Sequence, residues 1–430
     1  MTDWTIIRRS MTGRMFSTVT TVLTVSVAVA LMLVLLAMQG AGRRAFERGS
    51  GNMHLLASAD ASPLVAILNG IFYANAPRRP LTWAQFDRVA RSAPWEYAVP
   101  TQYGDSFMGL PVLATNTDFF ARFQPNPGSA WRLREGRFFE APFEVVVGAR
   151  AARATGLKVG DTIHLTHGAP QSRDLGDASA VAPHVHTEYD YHVVGILEPT
   201  GGSHDRALFT DLSSAWIIHA HDRRVRENPG AGRTTQEHLT DADRLITGIY
   251  LRLVTRAGSD TPANLPQVFD QLRRDATLTI AQPKQELDRL FLIVGNVNEL
   301  LVAIAAVVLV SSGIAIMLAL YNSMEQRRRQ IAVLRVLGAS RSRIFGLVTT
   351  EAALIGMLGA VVGIALSTIG AAAAAGIMKT RLGLDIDAAL PPREIVRVVL
   401  IAVALSTLAG FVPAMMAYRT SVAKNLRPIA

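Results

Sequence analysis

The 430 residues are 50% hydrophobic and 18% charged, carry a net charge of +9 and contain no cysteine. The apolar residues are gathered into long runs, which excludes an ordinary soluble protein, and the missing cysteine excludes a disulfide-stapled scaffold or a thiolate metal site. The basic surplus lies largely beside those runs, where membrane topology accounts for it; no nucleic-acid-binding motif is present and no nucleic-acid partner is expected.

Residues 1–42 open with Arg8, Arg9 and Arg14 and continue into an uncharged run over residues 17–38. A run of this length crosses a bilayer, for which roughly 20 apolar residues suffice, and exceeds the roughly 7–15 of a signal-peptide core. With no A-x-A cleavage pattern after it, the run reads as an uncleaved anchor and first span.

Residues 43–286 are far more polar and read as a mixed α/β domain. "FEVVVGARAARATGLKVGDTIHLT" predicts a strand near Val145–Val147, a short helix ended by Gly156, a turn at Gly160 and Asp161, then another strand. "YHVVGILEPTGG" and "ITGIYLRLVTR" predict two more strands, and the Gly/Asp/Ser-rich residues 168–182 a mobile loop. Leu287, Leu290 and Phe291 fall at helical spacing, so a helix is expected to run from this domain straight into the second span.

Residues 287–323 form that span, 344–378 a third and 398–418 a fourth. Between the second and third, residues 324–343 carry six arginines; the tail, 419–430, is also basic, whereas the connection at 379–397 is short. The positive-inside rule makes both termini and the arginine loop cytoplasmic, leaving the large domain and the short connection outside. The expected architecture is four transmembrane α-helices, one plus three, with a large extracytoplasmic α/β domain inserted between the first and second.

In the arginine loop, Ile331, Leu334 and Leu337, with Val333 and Val336 beside them, form an apolar side against the arginines. Gly338 can end this helix and Ser340 can cap the next. Such a segment can bind anionic headgroups or dock a cytoplasmic partner. Farther on, Gly359 and Gly363, with Gly356 before them, suit close helix packing, either between subunits or within one chain. Glu351 lies inside the third span and is costly to expose to lipid, which points to a partner such as Arg335 or Arg343.

"EQRRRQIAVLRVLGASRSRIFGLVTTEAALIGMLGAVVGIALS" resembles the signature of FtsX-like, or MacB-type, ABC transporter permeases, and "VVVGARAARATGLKVGDTIHL" resembles their extracytoplasmic core domain. The resemblance covers nearly the whole chain. It implies a permease of the inner bacterial membrane that pairs with a second permease subunit, identical or not, and works with a cytoplasmic ABC ATPase. A periplasmic adaptor or binding protein is a further implied partner. On this chain the ATPase-coupling and elbow positions would be Glu325, Arg327, Arg328, Arg329, Arg335, Gly338, Ser340, Arg341 and Arg343. No G-x-x-x-x-G-K-[ST] phosphate loop occurs in the sequence, so ATP and Mg²⁺ are expected on a separate ATPase rather than on this chain, unlike MacB proteins themselves.

The ten histidines all fall in the outer domain. "HVH" at His184 and His186, with His192 nearby, and "HAH" at His219 and His221 are candidate zinc or copper ligands, since alternating residues on an extended segment point the same way. The other reading is ordinary surface or core histidines. Val193–Trp216 resembles a permease subgroup that includes members linked with zinc acquisition. Two further functions stay open: an FtsX-like regulator of a periplasmic cell-wall hydrolase, and a membrane-anchored enzyme or receptor, although no catalytic triad or paired-carboxylate motif is visible.

Overall fold

The computed structural model describes residues 3–77, 79–167, 184–256, 258–381 and 389–419. They divide into two compact units, one drawn from Met1–Gly42, Ile293–Ile377 and Ile386–Ala430, the other from Arg43–Leu292 and Met378–Asp385. Four helical stretches are long and apolar enough to cross a membrane: Met15–Ala41, Pro283–Met324, Arg341–Met378 and Pro392–Arg419. The expected loop at 168–182 and most of the basic tail lie outside the described residues.

The chain starts with two helices, α1 (Asp3–Thr12) and α2 (Met15–Gly49), separated at Gly13 and Arg14. The outer unit then contributes strands β1 (Leu55–Ser58), β2 (Leu81–Thr82), β3 (Trp95–Phe107) and β4 (Leu110–Thr115), with helices α3 (Pro63–Gly70), α4 (Trp83–Ala90) and α5 (Asp118–Ala121). Next come β5 (Leu133–Gly136), β6 (Glu144–Val147), α6 (Ala149–Thr155), β7 (Thr162–Ile163), β8 (Thr166–His167), β9 (His184–Val185) and β10 (Tyr191–Leu197). The unit continues with β11 (Leu208–Asp211), α7 (Leu212–Glu227), β12 (Leu245–Ile246), β13 (Gly248–Leu253), α8 (Leu265–Arg273) and β14 (Thr279–Ala281). Four helices follow among the described residues: α9 (Pro283–Val336), α10 (Arg341–Arg381), α11 (Pro392–Ala409) and α12 (Phe411–Arg419).

Most strands join one mixed sheet in the order β14-β1-β13-β3-β4-β11-β6-β10-β5. β13 lies antiparallel between β1 and β3, with Leu251 opposite both Leu55 and Ala98, whereas β4–β11 and β6–β10 are parallel. Successive side chains on a strand point to opposite faces, so both faces of this sheet need cover. On one, Leu55, Ala57, Ile249, Leu251 and Ile280 pack with Val89, Leu212, Ala215, Val268 and Leu272 of α4, α7 and α8. On the other, Tyr250 packs 5.1 Å from Phe123, and Phe119 lies 5.3 Å from Phe209 and 5.4 Å from Trp131. The predicted "EVVVGARAARATG" grammar is realised: β6 leads into α6, which ends at Gly156 with φ of 76°, a left-handed conformation that glycine adopts without a Cβ penalty.

The segment after β10 works as a clasp. Backbone N–H groups of Thr200 and Gly201 donate to the Asp205 carboxylate at 2.7 and 2.9 Å, closing the loop on itself. The Ser203 hydroxyl donates to the Ile71 carbonyl at 2.6 Å and Arg206 to the Tyr73 carbonyl at 3.1 Å, tying it to the end of α3. Between them His204 is fully buried, its Nδ1 2.7 Å from the Tyr73 hydroxyl and its ring 5.6 Å from that of Phe123.

In the membrane unit, α2 buries Val25, Ala28, Val29 and Leu33 yet exposes Val19, Leu23, Val27 and Leu31. A helix apolar on both its packed and its open face suits hydrocarbon surroundings rather than water. The expected continuity into the second span is present, since α9 runs unbroken from Pro283 to Val336. The expected fourth span is present as one stretch, Pro392–Arg419, whose helix is interrupted at Gly410 between α11 and α12. Pro413 explains the division, because its nitrogen cannot donate to the carbonyl four residues back and its ring crowds that carbonyl.

Burial pushes the His204 imidazole down from 6.5 to about 4. Between those values the unfolded chain binds a proton that the folded protein refuses, so stability falls as pH drops through this window. Thermal unfolding of the full chain in detergent from pH 7 to pH 4 is expected to show this loss, and His204→Gln, which cannot titrate, should flatten the profile.

Candidate functional site

The arginine loop is a helix end, a turn and a helix start. The N–H groups of Leu337, Gly338 and Ala339 reach back to the carbonyls of Val333, Arg335 and Leu334 at 3.0, 3.2 and 3.0 Å, closing the end of α9. Gly338 has φ of 95° with nothing near where a Cβ would stand, so it is required for its backbone angle rather than for space. The Ser340 hydroxyl then accepts the N–H of Arg343 at 3.2 Å, the side-chain cap expected of the first residue before α10.

The apolar residues of this segment divide between two destinations. Ile331 and Ala332 are buried, and Ile331 joins Met324, Ile344, Val348, Ala414 and Ala417 in one cluster. Val333, Val336 and Leu337 point outward instead; Val336 is 64% and Leu337 78% exposed. The expected grouping of Ile331 with Leu337 on one side is therefore corrected. Six residues turn an α-helix by about 600°, which sets Leu337 about 120° around the axis from Ile331, and the Leu337 N–H keeps the helical bond to the Val333 carbonyl at 3.0 Å.

Arg328 and Arg329 are exposed and Arg335 is half-buried. Arg341 stands 5.8 Å from the ring of Tyr418, and Arg343 pairs with Asp3 of α1 at 2.6 Å. The side chains of Glu325 and Arg327 lie outside the described residues.

Glu351 is 3% exposed and pairs with Arg14, while the Ser10 hydroxyl donates to the same carboxylate oxygen at 2.6 Å. Neither Arg335 nor Arg343, the partners expected from sequence, fills this role. Arg343 stands eight residues before Glu351, about 12 Å along the helix, and faces Asp3. Sequence reasoning missed Arg14 and Ser10 because they are more than 330 positions away, and a basic residue before a first span reads as a topology signal.

The span-three glycines serve packing within the chain. A Cβ on Gly359 would lie 2.6 Å from Val25 and one on Gly363 2.8 Å from Val29, both on α2, whereas one on Gly356 would meet Ser406 of α11 at 2.5 Å. The backbone of α10 is thus pressed against two neighbours through residues that have no side chain to hold them apart.

The histidines do not converge. His219 and His221 lie on α7 rather than on an extended segment, where two positions correspond to about 200° around the axis, so their rings diverge. The Gln102 amide donates to His219 at 2.8 Å, His221 is 3.1 Å from the Thr234 hydroxyl and His192 is 3.3 Å from the Thr162 hydroxyl. His186 is buried with Nδ1 3.7 Å from Asp222. Among the described residues no group of three His, Cys, Asp or Glu side chains could hold a metal ion, and the His184 side chain lies outside them.

Comparison with known proteins meets this arrangement from both halves. Residues 18–273 match the MacB-like periplasmic core domain, more than half of the chain, and residues 302–422 match the FtsX-like permease C-terminal domain. The chain belongs to the FtsX/MacB-type permease family. Members of this family are membrane subunits of ABC-type transporters and act with a cytoplasmic ATPase. Among solved structures, the extracellular domain of the noncanonic ABC-type transporter YknZ from Gram-positive bacteria is similar at 6% identity. That match covers 53% of this chain and 98% of that one, with a TM-score of 0.27. No curated protein matches.

As an FtsX/MacB-type permease, the chain should tolerate a methyl group badly where α10 meets α2 and well where α10 is open. Gly359→Ala and Gly363→Ala are expected to cost about 1–3 kcal/mol through overpacking. Gly346→Ala, with nothing within 4 Å of the new Cβ, should be neutral or stabilising. Thermal unfolding of the three variants in detergent makes the comparison.

Proposed function

We propose that this permease couples ATP hydrolysis by a cytoplasmic ABC ATPase to movement of its outer domain, with the α9–α10 turn as the docking element. The single observation that carries the reading is the exposed apolar edge of Val333, Val336 and Leu337, beyond the stretch of α9 apolar enough to span a membrane, which ends at Met324. An edge of this kind, set among exposed Arg328, Arg329 and Arg341, suits a protein groove that takes apolar knobs in its centre and charges at its rim. On this reading both termini and the turn are cytoplasmic, the outer unit faces the periplasm of a bacterial inner membrane, and the membrane unit works beside a second permease subunit.

The closure behind that edge suits transmission. Ile331 on α9, Ile344 and Val348 on α10, and Ala414 and Ala417 on α12 share one cluster, and Phe345 meets Phe411 edge-on at 5.5 Å. A push on the turn would act on three helices at once. The Arg14–Glu351 pair and the Asp3–Arg343 pair add α1 and the start of α2 to the same body. On this reading the outer domain moves or releases a periplasmic client, delivered directly or by an adaptor or binding protein.

Purification of the tagged full chain from its native host measures the docking. Leu337→Asp and Val336→Asp are expected to reduce recovery of the co-purifying ABC ATPase by about tenfold or more, the scale of losing an interface anchor, while Val307→Leu, on an exposed face of α9 far from the turn, leaves it unchanged. Undiminished ATPase recovery with the two aspartate variants would sink the docking assignment.

A further inference from the structure

At the α1–α2 turn, residues 12–17 together with Ala319, Asn322 and Ser323 of α9 line a cavity of about 540 Å³. None of its lining residues is acidic. The first helical bond of α2 runs from the Thr18 N–H to the Arg14 carbonyl at 2.9 Å. The N–H groups of Met15, Phe16 and Ser17 are therefore the unsatisfied first turn of a 35-residue helix, at its positive end.

Two buried side-chain atoms add to this. Ser323 is 3% exposed, yet its hydroxyl has no hydrogen-bond partner among the described residues. Other hydroxyls in the spans bond back to their own helix: Ser311 to the Val307 carbonyl at 2.8 Å, Ser312 to Val308 at 2.9 Å and Ser406 to Ala402 at 2.8 Å. Ser323 does not. Arg14 commits Nη2 to Glu351 and Ser10, but its Nε is buried and likewise has no partner among the described residues. A buried donor left unsatisfied is costly, and here two such donors belong to residues that line the same cavity as the three unsatisfied backbone N–H groups.

We infer that this cavity binds a phosphate anion. Helix N-termini receive phosphate readily, and here a hydroxyl and a guanidinium N–H stand beside one. The volume falls within the usual range for small-molecule sites, about 300–1,000 Å³. The turn immediately precedes a membrane span, and Met15 and Phe16 expose apolar side chains beside the donors. That combination of apolar and anion-binding groups matches a phospholipid, with its phosphodiester in the cavity and its acyl chains along α2. Free inorganic phosphate offers the same chemistry without the tails. Either ligand would bridge the α1–α2 turn to α9 next to the Arg14–Glu351 pair.

Native mass spectrometry of the full chain, purified in mild detergent and incubated separately with phosphatidylglycerol, phosphatidylcholine and inorganic phosphate, tests this. Wild type is expected to retain phosphatidylglycerol about tenfold better than phosphatidylcholine. Ser323→Ala, which removes one hydrogen bond to a charged group, should reduce that retention about tenfold, and Ala319→Phe, which fills the cavity, should abolish it. Retention of inorganic phosphate without phosphatidylglycerol, lost in the same variants, would identify the free anion as the ligand. If both variants fold as wild type by thermal unfolding and still retain either ligand at the wild-type level, the site is overturned.

Discussion

A carboxylate inside an apolar helix must find a partner before that helix can sit in hydrocarbon, and Glu351 finds its partner outside the spans. Arg14 and Ser10 reach it from the N-terminal segment, so the buried charge is matched and hydrogen-bonded rather than left alone. Removing one member of such a pair leaves an uncompensated buried charge, which costs far more than the pair contributes. The arrangement therefore constrains more than two side chains. It requires α1 to break from α2 at Gly13 and Arg14, and it holds α1 against the start of α10, where Asp3 also meets Arg343.

Around that fixed point α10 is the common neighbour. Its glycines admit α2 on one side and α11 on the other at separations that no larger residue allows. α9 joins the same group, with the Ser312 hydroxyl 3.3 Å from the Thr24 carbonyl and Gly313 set against Leu405. Between membrane helices there is little hydrophobic driving force, because lipid tails are as apolar as the side chains, so close backbone packing and a few polar contacts have to supply the association. The outward faces stay apolar for the same reason that the inward ones do.

The outer unit obeys the opposite rule. Water surrounds it, so its sheet is covered on both faces and its polar residues are committed locally. The histidines illustrate this. His204 is held by Tyr73 within an aromatic cluster, His186 is buried with Nδ1 3.7 Å from Asp222 of α7, and His221 is buried with its ring 5.4 Å from that of Tyr189. A concentration of imidazoles in the sequence became a set of separate structural contacts, because the folding of residues 212–227 as a helix turned the rings of "HAH" away from each other.

Local periodicity and composition determined a good deal of this protein. Long apolar runs require four spans, the arginine-rich interval requires a turn between the second and third, and Gly338 and Ser340 mark where one helix ends and the next begins. Those features depend on neighbours within a few residues, which is why they are legible in one dimension. Other features depend on which distant segments touch, and the tertiary structure alone decided them. It chose Arg14 over the nearer arginines as the partner of Glu351, set Gly359 and Gly363 against α2 of the same chain, and left the Ser323 hydroxyl with no hydrogen-bond partner among the described residues beside the α1–α2 turn. Pairing across more than 300 residues is set by the packing of whole helices, and no spacing along the chain encodes it.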